Sequence, residues 1–158
     1  MQGHPVYVQT RNKTSIICAA ALILCGSIMT TGAFIDFVET DSSTDNSFYW
    51  PFIGPPLLVL SLLIIAAAII ALITQKDLGA FIFSTTVSSI SLIYLFLMWL
   101  ALKYSLLEGL APSKYPYETW ARLGPGLFVM LASAIPAVAA SITGLVVSLK
   151  QGGVDPPY

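Results

Sequence analysis

The sequence predicts an all-α polytopic membrane protein, a single domain over residues 1–158 whose four transmembrane helices form a bundle with a short inner hairpin and two outer loops. The chain is 56% hydrophobic and only 9% charged, with a mean hydropathy of +0.83, a balance typical of polytopic helical proteins. A helix needs about 20 apolar residues to cross the hydrocarbon layer, and the alternating pattern of barrel strands is absent. Four stretches meet that length, at about residues 15–37, 51–74, 79–102 and 125–149.

The first stretch resembles a secretion signal, because Arg11 and Lys13 precede its apolar run. That run is longer than a typical signal core, so we expect it to remain as the first membrane helix, with Thr14 as its N-cap. Cys18 and Cys25 share one face of this helix at depths about 10 Å apart, which is too far for a disulfide. We interpret both cysteines as packing residues.

The first outer loop, Val38 to Trp50, is rich in acidic and turn-forming residues. It ends in Tyr49 and Trp50, aromatic residues that favour the headgroup zone of the bilayer. Prolines at the start of the second helix remove few hydrogen bonds if they lie within its first turn, although the Pro-Pro pair leaves open a start after an extended entry. These prolines are Pro51, Pro55 and Pro56.

Two short connections shape the rest of the chain. The link from Gln75 to Leu78 is so short that the second and third helices must be antiparallel neighbours. The second outer loop, Leu106 to Gly124, carries three more aromatic residues suited to the membrane interface. They are Tyr115, Tyr117 and Trp120.

Asp36 ends the first apolar stretch and Arg122 precedes the fourth. Both are expected at the outer side of the bundle. A salt bridge between them would tie the two outer loops together. The alternatives are solvation of each charge or a cation held by the aspartate at the mouth of the bundle.

Basic residues set the expected orientation, because short cytoplasmic flanks carry an excess of lysine and arginine. Both termini are expected in the cytoplasm and the protein in the cell (plasma) membrane. The predicted inner flanks then hold Arg11, Lys13, Lys76 and Lys150, against Lys103, Lys114 and Arg122 outside.

The apolar cores of the four stretches contain no Asp, Glu, Lys, Arg or His. Ionisable groups within the bilayer usually mark proton relays and voltage sensors, so the sequence argues against both functions. The single histidine, His4, precedes the first stretch and cannot supply intramembrane haem or copper ligands. We therefore expect no catalytic, metal or cofactor site and no nucleic-acid partner.

Hydroxyl groups on the third helix form one candidate site. Ser84, Ser88 and Ser91 follow helical spacing along one face. These hydroxyls would line a water-filled path if the protein were a channel. The interpretation we favour is that they bond to backbone carbonyls one turn back and help helices associate, at about 1 kcal/mol each or less.

Small residues on the fourth helix form the second candidate site, a helix-packing or partner interface. Ala132, Pro136, Ala140 and Gly144 recur at every fourth position. Small residues at this spacing let another backbone approach closely, and Pro136 is expected to kink the helix. The neighbour is either a helix of the same bundle or another subunit, and the sequence does not separate the two.

The functional hypothesis is a non-catalytic accessory subunit that packs against a larger multi-subunit membrane complex and stabilises it. Complexes of energy metabolism are one candidate class. The expected partners are other membrane-protein subunits and the lipid bilayer, with a hetero-complex favoured over a homo-oligomer. The alternative is a homo-oligomeric channel or facilitator for a small solute, lined by the third-helix hydroxyls. A membrane enzyme ranks last.

Overall fold

The computed structural model describes residues 13–35, 38–39, 50–74, 77–103 and 122–152. Within these ranges four helices follow one another along the chain, each long and apolar enough to cross a membrane. The predicted all-α, four-helix fold class is confirmed. The helices are α1 (Lys13–Gly32), α2 (Trp50–Ile73), α3 (Asp77–Lys103) and α4 (Pro125–Gly152), and two short strands are β1 (Val38–Glu39) and β2 (Arg122–Leu123).

The helix boundaries lie within three residues of the sequence prediction, except that α1 ends early. α1 ends at Gly32, five residues early, because the chain tightens into a turn in which the amides of Phe34 and Ile35 donate to carbonyls three residues back, at 3.0 and 3.2 Å. α2 already begins at Trp50 and takes both Pro55 and Pro56 into the helix. As the sixth and seventh residues of α2 they lie beyond the four amides that have no helical acceptor, so each removes one backbone hydrogen bond from the second turn.

The helices form a closed ring. Each helix packs against the next one in the chain, and α1 packs against α4. The buried residues of the described bundle combine large apolar side chains with many alanines and serines. The largest of these buried side chains are Phe81, Leu22, Met29, Leu57, Ile64, Leu95, Leu127 and Met130.

Glycine allows the backbones of α1 and α4 to touch. A Cβ atom added at Gly126 would lie 2.6 Å from the carbonyl oxygen of Ile35 and 3.0 Å from that of Gly32. On the α1 side, a Cβ atom added at Gly32 would lie 2.7 Å from Cγ of Met130. The end of α1 and the start of α4 are therefore in backbone contact, which only glycine permits at Gly126.

The two short strands add a feature that the sequence did not predict. β1 pairs with β2 in antiparallel fashion, with Val38 opposite Leu123 and Glu39 opposite Arg122. β1 follows α1, and β2 precedes α4, so this pairing joins the two connections at one end of the bundle, which we call the strand-bearing end. The predicted partner of Arg122, Asp36, lies outside the described residues, and that salt bridge stays a prediction.

The outward surface of the bundle is apolar. Large aliphatic and aromatic side chains are exposed on every helix, among them Ile73 at 77%, Ile17 at 65% and Leu24 at 63%. Soluble monomers rarely expose apolar patches of this extent, whereas lipid tails solvate them. Together with the length of the helices, this surface identifies an integral membrane protein.

Candidate functional site

The predicted serines of α3 face the inside of the bundle. Ser84, Ser88 and Ser91 all have no exposed surface, and α3 packs against α4 along this side. The hydroxyl oxygens of Ser88 and Ser141 are 3.2 Å apart across the α3–α4 contact. The Ser91 hydroxyl donates to the Val87 carbonyl at 2.8 Å, one turn back on its own helix.

The Ser88 and Ser141 hydroxyls have one proton each, and that limits which bonds form together. Ser88 lies within reach of the Ser84 carbonyl, and Ser141 lies 2.9 Å from the Val138 carbonyl. A chain in which Ser141 donates to Ser88, and Ser88 donates to the Ser84 carbonyl, uses each proton once. In that arrangement a single hydrogen-bonded chain connects the two helices in the middle of the apolar layer.

Ser84 differs from the other two serines. Its carbonyl accepts the bond from Ser88, but its own buried hydroxyl has no hydrogen-bond partner among the described residues. The same is true of the buried Ser148 hydroxyl near the end of α4. An unpaired buried hydroxyl costs about 1–3 kcal/mol, so the Ser84 hydroxyl adds no hydrogen bond between α3 and α4.

A second interhelical hydroxyl pair lies between α1 and α2, and the sequence did not indicate it. The side-chain oxygens of Thr30 and Ser61 are 2.9 Å apart. Nearby, a Cβ atom added at Gly26 would lie 3.3 Å from the Ser61 carbonyl oxygen and 2.6 Å from Cγ1 of Ile65. The missing side chain at Gly26 thus brings α1 close enough to α2 for the two hydroxyls to meet.

The predicted small residues of α4 do not share one face. Gly144 is buried against the Phe81 ring of α3, Ala140 is half-buried, and Ala132 and Pro136 are exposed. Positions four apart advance by 400°, so each step drifts about 40° around a helix with 3.6 residues per turn. Over three steps the drift of about 120° carries the series from the outer surface to the α3 contact.

The outward surface of α4 has a small side and a large side. Ala132, Pro136 and Ala139 are exposed on the small side, and α4 continues as a helix through Pro136. On the large side stand bulky exposed residues, which are Phe128, Ile135, Ile142, Val146 and Leu149. A second helix can come closer to α4 along the small side than along the large side.

Pro136 also leaves a backbone acceptor on that small side. Proline has no N–H, so the carbonyl of Ala132 lacks the donor it would have in a regular helix. The neighbouring Ser133 hydroxyl does not replace it, because its one proton is directed to the carbonyls of Val129 and Met130, which lie 3.0 and 2.9 Å from the hydroxyl oxygen. Ala132 and Pro136 are both exposed on the outside of the bundle. The Ala132 carbonyl therefore lies on the lipid-facing surface, where no water is present to donate a hydrogen bond to it.

The predicted interfacial aromatic residues lie mainly outside the described part of the chain. This holds for Tyr49, Tyr115, Tyr117 and Trp120, whereas Trp50 is the first residue of α2. A different aromatic pair lies near the end of α3, where the rings of Phe96 and Trp99 stack with their centroids 5.7 Å apart.

In the described ranges no three His, Cys, Asp or Glu residues group in a way that could hold a metal ion. Cys18 and Cys25 are free thiols, and both are buried in the hydrophobic core of the bundle. The polar chemistry found inside the described bundle is therefore that of hydroxyls bonded to one another and to carbonyls.

These features define the class of protein: an integral membrane protein built as a ring of four apolar helices, held by glycine contacts and hydroxyl pairs. Comparison with protein families, with characterised proteins and with solved structures finds no match to this chain.

Proposed function

We propose that this protein is a non-catalytic accessory subunit that packs against a larger membrane complex and stabilises it. The observation that carries the proposal is the small side of α4, where Ala132, Pro136 and Ala139 are exposed on the outside of the bundle. Complexes of energy metabolism remain one candidate class of partner.

The first argument concerns how closely helices can approach in lipid. Hydrophobic collapse gives no driving force there, because lipid tails are as apolar as leucine. Association relies instead on close packing and hydrogen bonds, and small residues supply the close packing. The large side of α4 and the exposed aliphatic residues elsewhere suit lipid better than a second helix.

The second argument concerns the Ala132 carbonyl. An unsatisfied backbone acceptor in the hydrocarbon layer costs several kcal/mol, and neighbouring helices are one means by which proline-containing membrane helices recover this energy. No helix of the described bundle covers the exposed Pro136. A partner helix with a hydroxyl or amide donor at this depth would satisfy the carbonyl and gain a directional contact.

The third argument concerns the interior. The bonded hydroxyls of Ser88, Ser141, Thr30 and Ser61 connect helices of this chain to each other. The interior of the bundle is therefore already packed by contacts within this chain. Contacts with another subunit must then be made by the outward surface of the helices.

The second candidate, a homo-oligomeric channel, is favoured by one observation: the buried Ser84 hydroxyl has no partner in the described structure. A pore between copies requires its lining residues at the surface of each copy. Ser84, Ser88 and Ser91 have no exposed surface, so such a pore would require α3 to rotate. We therefore rank the channel second.

We also propose that the protein lies in the plasma membrane with both termini in the cytoplasm. The distribution of lysine and arginine supports this orientation. Labelling of single cysteines placed in the tails of a Cys18→Ala, Cys25→Ala background, in intact and opened cells, tests it. Labelling of either tail in intact cells would refute it.

The central experiment is extraction of native membranes in mild detergent, native-gel separation and mass spectrometry of the band that contains this chain. We expect a fixed set of larger subunits in that band. Ala132→Leu, which adds bulk on the small side, should weaken association by about tenfold, or about 1.4 kcal/mol. The matched control, Ile135→Leu on the large side, should leave the band unchanged.

Two results would overturn the proposal. One is migration of the wild-type chain as a stable monomer with no other subunit. The other is migration as a homo-oligomer, which would favour the channel and direct attention to the serines of α3.

A further inference from the structure

We draw no further inference here: the strongest candidate, the outward small side of α4 where Pro136 leaves the Ala132 carbonyl without an amide donor, already belongs to the proposed partner interface, and nothing in the described part of the chain shows which helix or lipid covers it.

Discussion

Gly144 on α4 lies directly against the aromatic ring of Phe81 on α3. A Cβ atom added at Gly144 would lie within 3 Å of three carbons of that ring. Phe81 is the largest fully buried side chain in the described structure, so the ring is enclosed by the bundle. The contact fixes where α3 and α4 meet.

We therefore expect Gly144→Ala to destabilise the bundle by about 1–3 kcal/mol, the usual effect of overpacking a core. Unfolding in a detergent titration measures the change. Gly79→Ala is the matched control, because a Cβ atom at Gly79 meets nothing within 4 Å and the substitution improves helix propensity. Equal stability of the two variants would show that the ring adapts to a methyl group.

Gly126→Ala should be more damaging locally, since the atoms that it meets are backbone atoms of α1, which cannot move by a simple side-chain rotation. We expect α1 and α4 to separate at the strand-bearing end and the β1–β2 pairing to weaken. Amide hydrogen exchange of the strand residues measures this effect. Exchange as slow as in the wild type would contradict the backbone contact.

Ser84→Ala and Ser88→Ala should have different effects on stability although the two residues lie one turn apart. Removing the Ser84 hydroxyl removes an unpaired buried group, so stability should stay the same or rise. Removing the Ser88 hydroxyl breaks the contact with Ser141 and should lower the free energy of unfolding by about 0.6 kcal/mol, and by no more than about 1.7.

A double-mutant cycle of Ser88→Ala and Ser141→Ala isolates this contact from other effects of each substitution. A coupling energy near zero would mean that the two hydroxyls do not exchange a hydrogen bond in the membrane.

Solute flux through liposomes, measured on Ser84→Ala and Ser88→Ala, separates the packing role from the channel. Loss of flux in folded variants would support the channel.

Pro136→Ala should separate folding from association. The new amide can donate to the Ala132 carbonyl, and alanine is favoured over proline in a helix by about 3 kcal/mol, so the isolated chain should become more stable. Association with the partner should weaken, because the carbonyl no longer needs an external donor. Unfolding titrations and native gels measure the two effects, and a variant that binds its partner as tightly as the wild type would refute this role of the carbonyl.

The spans could be predicted because length and apolarity alone determine them. Which side of a span faces inward is harder to predict, as Thr30 and Thr31 illustrate. Thr30 reaches Ser61 on α2, while the exposed Thr31 donates to the Ser27 carbonyl of its own helix. Neighbouring threonines in an apolar run look alike in sequence, and only the packing of a second helix distinguishes them.

The small residues of α4 and the paired strands are two other features whose arrangement the sequence alone does not predict. A spacing of four suggests a single stripe, but the helical repeat of 3.6 turns Gly144 toward Phe81 and leaves Ala132 outside. The strands are two residues each and lie about half the chain length apart, so the sequence has no local alternation that would predict them. The Asp36–Arg122 hypothesis placed the connections near each other, but it could not foresee a backbone ladder.

The contact between the first and last helices has a consequence for biosynthesis. A chain that enters the membrane helix by helix has α1, α2 and α3 in place before α4 is made. Until then, the side of α1 that receives α4, including Gly32, stands open to lipid or to an insertion factor. Truncation before α4 would leave this side permanently exposed, and cellular quality control would have a recognisable sign of an unfinished protein.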